Sequence, residues 1–393
     1  MAFEYSHYLC GMQKDPYSVN FKLGVLGGGQ LGRMLIQEAI NLDIHIACLD
    51  PNDKAPCSEI ANWFAHGDFN DYDAVMRFGQ DKDVLTVEIE HVNIQALKEL
   101  KRKGVKVYPQ PEILEIIKDK GLQKEFYTKN NIPTAPYKLV DNKEELMQNQ
   151  DLLPVAQKLR TGGYDGKGVT ILKSETDLIK AFDAPSVLES FVPFEKELAV
   201  IVARNENGEI SSFPVVELDF NPEANLVEML FAPAKISPEI EEKARKVAEN
   251  TIEAFGLIGL LAVELFLTKE GDILVNEVAP RPHNSGHHTI EANITSQYGQ
   301  HLRSILNLPL GKTDLIQAGA MVNLLGEEGH TGSVRYEGLK ECLALPGVYV
   351  HIYGKAETKP FRKMGHVTVT GRDVEEVRKL AHKVKATLKV KAE

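Results

Sequence analysis

The sequence predicts an α/β unit with a parallel sheet at the N-terminus, followed by α+β blocks, and three observations predict it. Between Lys22 and Tyr108 short apolar strands alternate with amphipathic helical stretches, the pattern of parallel strands joined by crossover helices. Beyond Pro133 and Pro136 the pattern changes to short strands separated by turns. The length, 393 residues, is too great for one core at about 150 residues per domain, so two or three domains are expected.

In chain order, residues 1–20 lack periodicity and read as an extension. A strand over Leu23–Leu26, a glycine turn, a helix over Leu31–Asn41 and strands over Ile44–Asp50, Val84–Ile89 and Val105–Tyr108 make a Rossmann-like unit, 21–111. The run Tyr108-Pro109-Gln110-Pro111 breaks that rhythm, and a helical stretch follows over Glu112–Asn130. Strands are expected over Val155–Leu159, Val169–Leu172, Leu198–Ala203, Ser212–Leu218, Leu261–Leu267 and Ile273–Val275, with helices near 176–183 and 239–255, in a central block 112–310. The last block, 311–393, reads as strands over Met321–Leu325, Tyr349–Tyr353 and His366–Thr370 with a helix from Asp373.

Composition excludes several classes of function. With 43% hydrophobic and 26% charged residues the chain can build cores and is not a disordered protein. Its 45 basic and 56 acidic residues leave a net charge of −11, which argues against nucleic acid as a partner. The apolar run Leu257–Val263 is cut by Glu264, far short of a bilayer span, and the first twenty residues do not resemble a signal peptide; a cytoplasmic protein is expected. Cys10, Cys48, Cys57 and Cys342 form no C-x-x-C pair and read as reduced.

Five features carry chemistry. Gly27-Gly28-Gly29-Gln30-Leu31-Gly32 follows a strand and opens a helix, and Asp50 ends the next strand; the pattern fits phosphate or ribose binding, or a tight turn with close helix packing. Glu88 and Glu90 end a later strand, where open α/β sheets bind ligands. The loop Lys158-Leu159-Arg160-Thr161-Gly162-Gly163-Tyr164-Asp165-Gly166-Lys167-Gly168 puts four glycines and several cations between two strands, suited to wrapping a polyphosphate, and is not a P-loop. A two-residue turn at Glu270-Gly271 makes paired positions sum to 541, so Glu264 faces Glu277. Such like charges cost about 0.2–1 kcal/mol, and a cation such as Mg²⁺, with Asn276 beside it, explains them. Arg281-Pro282-His283-Asn284-Ser285-Gly286-His287-His288 then supplies donors for an anion beside that cation; without H-E-x-x-H spacing or a nearby thiolate, zinc is not expected there.

Lysine, glycine loop, acid pair and Asn276-Glu277 in this order resemble the ATP-grasp superfamily. Within it Gly27–Arg33, Arg160–Gly168 and Asn276–His287 resemble the 5-(carboxyamino)imidazole ribonucleotide synthases of purine biosynthesis, over about residues 22–390. The resemblance implies a three-domain ATP-grasp fold, a homodimer, and carboxylation of 5-aminoimidazole ribonucleotide with ATP and bicarbonate. It implies Lys120 and Lys158 as phosphate-binding cations, and Gly163, Tyr164, Asp165, Gly166, Lys167, Gly168 and Val169 as the ATP loop and lid. Glu189, Ser190, Phe191 and Val192 become the adenine hinge, Glu197 the ribose acceptor, and Glu264 and Glu277 the magnesium ligands, with Asn276 beside them.

For the ribonucleotide and bicarbonate it implies Gln30, Leu31, Glu88, Arg281, His283, Asn284, Ser285, Lys355, Arg362 and Lys363, and it casts Asp165, Lys167, Arg281 and Lys355 as catalytic. Lys120 and Lys167 stand where many relatives carry arginine, keeping the charge without the bidentate fork. A formate-using glycinamide ribonucleotide transformylase shares the metal pair but not the Arg281–His287 loop. A Rossmann dehydrogenase would use the first glycine motif and leave the later loop and acid pair idle, and a non-catalytic nucleotide sensor would lack turnover.

Overall fold

The computed structural model describes residues 15–163, 168–221 and 226–393. The N-terminal sheet is parallel, in the order Trp63–His66, Ile46–Asp50, Leu23–Leu26, Val84–Val87, Lys106–Tyr108. Leu23–Leu26 is central and wholly buried, so it reads as a continuous apolar run, as a strand covered on both faces must. The chain leaves it to one side and returns on the other, which opens a crevice at its carboxyl end. Helix Gln30–Ile40 starts there and buries Leu31, Met34, Leu35, Ile36 and Ala39 against the sheet.

The helical stretch expected over Glu112–Asn130 is two helices, Pro111–Lys118 and Lys120–Lys129. Asp119 separates them: its backbone is extended, and its side chain accepts from Gly121 and Leu122 N–H, capping the second helix. Four antiparallel strands follow, ordered Tyr137–Val140, Ser186–Ser190, Val155–Leu159, Val169–Leu172. The helix expected near 176–183 is a 3₁₀ segment, Glu175–Lys180.

Among the described residues the largest sheet has nine strands. Its path runs Ile273–Ala279, Gly259–Thr268, Phe194–Arg204, Val216–Asn221, Leu226–Ala232, Ala318–Leu325, Lys363–Gly371, Val348–Ile352, with Ile210–Ser212 paired to Phe194–Arg204. The strand expected over Ser212–Leu218 is therefore two, broken around Phe213 and Pro214. Helix Pro238–Phe255 packs Ala244, Ala248 and Ile252 on Leu198, Val200, Val202, Leu261 and Val263. Helix Val374–Thr387 packs Val377, Ala381 and Val384 on Val322, Val367 and Val369. Residues on both sides of position 310 thus share one sheet. No helix among the described residues is long and apolar enough to cross a membrane, and Cys48, Cys57 and Cys342 are free and buried.

Candidate active site

The acid pair is built by a hairpin with two compensating irregularities. The turn is a three-residue loop, Lys269-Glu270-Gly271, closed by Thr268 and Asp272, so pairs near it sum to 540. A bulge at Asn276 adds one residue and restores the sum to 541, so Glu264 faces Glu277 as the sequence predicts, though not through the two-residue turn assumed for it. Asn276 Oδ1 accepts from Lys158 Nζ at 2.7 Å, while Glu277 Oε2 accepts from Lys120 Nζ at 2.6 Å. Burial first, and the facing Glu277 second, hold the Glu264 carboxyl well above its ordinary value. The Lys120 ammonium, with Lys158 behind it, holds Glu277 well below. One carboxyl is thus poised to be neutral and one ionised, an arrangement a divalent cation reverses by satisfying both.

Each cation is fixed by its own scaffold. Lys120 begins the second helix after Asp119; its N–H donates to Arg160 O at 2.9 Å, and Arg160 grips Asp119 with two bonds of 2.9 and 2.8 Å. Arg160, in the glycine loop, therefore fastens the helix that presents Lys120. Lys158 Nζ also lies 3.1 Å from Glu189 Oε2, and Lys124 Nζ lies 3.2 Å from Glu189 Oε1. This Lys–Glu–Lys triad is buried, at 9%, 4% and 2% side-chain exposure for Lys158, Glu189 and Lys124. Burial opposes ionising Glu189, but the two lysines keep it below its ordinary value. Burial takes Lys124 down to about 8. Lys124 also donates to Thr134 Oγ1 at 2.5 Å, which donates to Val275 O at 2.7 Å, tying the triad to the strand that carries Glu277.

Glu189 ends its strand beside Ser190, Phe191 and Val192, the crossing from the four-stranded to the nine-stranded sheet. Phe191 is 43% exposed. Glu197 lies two residues before Ala199, which pairs with Glu264, so it shares the cleft face; burial raises it to about 7. Gly163, Gly168 and Val169 lie at the mouth of the glycine loop, where Leu159 N–H donates to Gly168 O. Tyr164, Asp165, Gly166 and Lys167 lie outside the described residues.

The first glycine motif is filled by the protein's own acids. Gly28 N–H donates to Asp50 at 2.7 Å, and Glu88 accepts from Gly29 and Gly32 N–H at 2.8 and 2.5 Å. A Cβ on Gly29 would stand 2.2 Å from Glu88 Oε1, which explains the glycine. Two carboxylates on the amides of this helix start disfavour a dinucleotide phosphate there, so the tight-turn alternative is the one the geometry favours. Gln30 and Leu31 open the helix, with Leu31 buried and Gln30 partly open.

The loop after Glu277 runs across the cleft. Arg281 Nη2 meets Glu90 Oε1 at 2.8 Å, and His283 Nε2 stands 3.9 Å from Glu264 Oε1. Gln297 holds His283 by both backbone groups, and Ser285 Oγ bonds its Nδ1 at 2.9 Å. Arg281 Nε and Asn284 Nδ2 are buried without a partner among the described residues, as donors kept for an anion would be. From the C-terminal part, Lys355 Nζ donates to Lys363 O at 2.7 Å, and Lys363 is near enough to Glu264 to oppose its raised pKa. Arg362 is more peripheral, donating to Glu357 O at 2.6 Å. Sequence reasoning missed Lys124 as a member of the site, and it placed Glu90 at the crevice without its partner Arg281. Lys124 was visible as i+4 from Lys120 on one helix face, whereas nothing local marks Glu90 as the partner of Arg281.

Comparison with known proteins agrees with this geometry. Residues 21–118 match the ribonucleotide synthetase preATP-grasp domain, 125–298 the ATP-grasp domain and 319–380 the phosphoribosylaminoimidazole carboxylase C-terminal domain. The N5-carboxyaminoimidazole ribonucleotide synthase of Bacillus subtilis is 41% identical over 354 residues, 88% of this chain and 90% of that protein. The crystal structure of N5-carboxyaminoimidazole ribonucleotide synthetase from Thermotoga maritima has a TM-score of 0.88 at 47% identity, covering 95% of this chain and 100% of that one. The Aspergillus clavatus synthase, solved with ADP and 5-aminoimidazole ribonucleotide, has a TM-score of 0.86 at 34% identity and covers 93% and 98%. The chain also matches longer proteins named phosphoribosylaminoimidazole carboxylase and spans about two thirds of their length. The chain belongs to the N5-carboxyaminoimidazole ribonucleotide synthase family of ATP-grasp proteins.

Proposed function

We infer that this chain is an ATP-dependent ligase that carboxylates 5-aminoimidazole ribonucleotide with bicarbonate, giving the N-carboxylated ribonucleotide, ADP and phosphate. One observation carries the reading: the Arg281–Ser285 loop, with unpartnered buried donors on Arg281 and Asn284, leaves the strand of Glu277 and brings His283 to 3.9 Å from Glu264. An anion held there lies beside the γ-phosphate end of a nucleotide in the cleft.

Bicarbonate is a poor electrophile, so one of its oxygens takes the γ-phosphoryl group and ADP leaves, giving carboxyphosphate. Lys120 and Lys158, fixed by Asp119, Arg160 and Glu189, offset the phosphate charge. Glu264 and Glu277 would hold Mg²⁺ together with phosphate oxygens, an all-oxygen set that suits it, and the ion would neutralise charge on the transferring group.

The ribonucleotide amine then attacks the carbonyl carbon of carboxyphosphate, or CO₂ released from it; phosphate leaves and the amine loses a proton. Arg281, His283, Asn284, Ser285 and Lys355 hold the anions and exclude water. Gln30, Leu31, Glu88, Arg362 and Lys363 are proposed around the ribonucleotide, Ser190–Val192 and Glu197 around the nucleoside of ATP, and Gly163, Gly168 and Val169 at the phosphates. Asp165 and Lys167, with Tyr164 and Gly166, are proposed to complete the phosphate lid. The reading takes the chain as a cytoplasmic homodimer divided at about 21–111, 112–310 and 311–393.

ADP release measured with ATP and Mg²⁺ tests the reading. It should be stimulated strongly by bicarbonate plus 5-aminoimidazole ribonucleotide, with Mg²⁺ required. Stimulation by formate plus glycinamide ribonucleotide instead would assign the chain to the transformylase reaction, and no stimulation by either pair would leave a nucleotide-binding protein without this activity.

A further inference from the structure

A buried set of rings lies where three parts of the chain meet. Tyr353 is 1% exposed and belongs to the apolar cluster of the N-terminal unit, with Leu31, Tyr298 and Leu302. Its hydroxyl lies 3.0 Å from His366 Nδ1 on the neighbouring strand. His366 stacks on His351 at 4.4 Å and meets His287, which ends the 281–287 loop, at 4.6 Å with the rings tilted by 33°. His351 Nε2 is held by Glu291 at 2.7 Å, and His287 Nδ1 meets Tyr298 OH at 3.2 Å and Gln297 Nε2 at 3.0 Å. Tyr353 therefore touches the N-terminal core, the substrate loop through His287, and the C-terminal sheet through His366.

Lys355 stands over this ring, its Nζ 5.6 Å from the Tyr353 centroid, within cation–π reach. The turn between the two residues is made by Gly354 at φ +80, which a side chain would strain, and Arg33 of the first helix lies beside it. The ammonium also donates to Lys363 O at 2.7 Å. A lysine has four rotatable bonds, and a charged head at the end of them is positioned only by what it rests on.

We propose that Tyr353 is a positioning residue for Lys355: its ring carries the ammonium, and its hydroxyl, anchored on His366, fixes the ring against the substrate loop. Burial keeps the phenol protonated and His366 and His287 neutral, so the hydroxyl has a proton to donate and the neighbouring imidazoles do not repel each other or Lys355. The proposal rests on the reading above, in which Lys355 contacts substrate anions. It explains why a polar ring stack is kept in an interior that apolar residues could fill.

A double-mutant cycle separates positioning from packing, because a residue that acts through Lys355 has nothing left to act on once Lys355 is gone. In the full-length chain, Tyr353→Leu, Lys355→Ala and the double variant are compared by carboxylated product formed at saturating ATP, far below each melting temperature. Tyr353→Leu should lower kcat about five- to thirtyfold, the worth of a desolvated cation–π contact, and should add nothing in the Lys355→Ala background. Equal losses in both backgrounds would show a packing role and overturn the proposal. Where Tyr353→Leu does not fold, Tyr353→Phe, which loses only the hydroxyl bond, runs the same cycle: a loss confined to chains with Lys355 supports the proposal, and equal or absent losses overturn it. A wild-type chain that forms no carboxylated product would refute the functional reading itself, a distinct outcome.

Discussion

Replacing Glu264 by glutamine should make the protein more stable and catalytically inert. Glu264 is buried to 14% side-chain exposure and faces Glu277 across two strands, with His283 at 3.9 Å and the ammonium groups of Lys363 and Lys120 offsetting its charge in part. Directly opposed like charges cost about 0.2–1 kcal/mol. Desolvation of a half-compensated carboxyl adds to this, so Glu264→Gln should gain about 1–3 kcal/mol at neutral pH. The sign follows from the raised pKa. Below the unfolded value of 4.5 the carboxyl is neutral in both states and the two proteins should unfold alike. As pH rises through the folded value the wild type loses stability that glutamine keeps, so the gap opens toward alkaline pH. Urea unfolding without nucleotide at several pH values reads the gap, and ADP release reads the loss of activity. A less stable glutamine variant, or a gap that closes as pH rises, would refute the electrostatic account of the pair.

Other perturbations probe the supports of the site. Lys124→Met leaves Glu189 on Lys158 alone and should draw that ammonium from the phosphates, raising the KM for ATP about tenfold, as loss of one charge-assisted bond does; an unchanged KM would make Lys124 a structural cation only. Glu88→Gln puts an amide where two N–H groups need acceptors and should cost about 1–3 kcal/mol in urea unfolding, whereas an unshifted midpoint would mean that Glu88 does not hold the glycine turn. His288 is held at about 4 by burial against 6.5 unfolded, so its stability contribution is present above 6.5 and lost as pH falls, by about 1.4 kcal/mol one unit lower. His288→Asn should therefore flatten the acid limb of stability against pH; parallel limbs in the two proteins would contradict this.

Much of the architecture was legible because it rests on local signals. The central strand Leu23–Leu26, its glycine turn and the helix after it declare themselves by burial pattern and spacing. Asp373 announced its helix as an N-cap, accepting from Glu376 N–H at 2.8 Å. The edge strand Trp63–His66 gave no such signal, since Trp63 is 52% exposed and its neighbours alternate weakly. At the site, the acid pair was found through a turn one residue too short, and the bulge at Asn276 corrected the register unseen. A bulge leaves no mark in hydrophobic pattern, and the same bulge is what brings Asn276 to Lys158. Long-range partners were the least visible: Glu90 reaches Arg281 and Lys363 approaches Glu264 only because separate sheets converge. The roles of Asp50 and Glu88 as acceptors for the glycine turn likewise depend on three strand ends meeting.

The central claim is that a bicarbonate oxygen attacks the γ-phosphoryl group of ATP in the cleft between Lys120, Lys158 and the Arg281–Ser285 loop. With ¹⁸O-labelled bicarbonate, ATP, Mg²⁺ and 5-aminoimidazole ribonucleotide, the attacking oxygen should remain on phosphorus when carboxyphosphate breaks down. Mass spectrometry of the inorganic phosphate should therefore show one ¹⁸O per phosphate released, matched by one carboxylated ribonucleotide. Unlabelled phosphate released with ADP would mean that water is the nucleophile and would contradict the account.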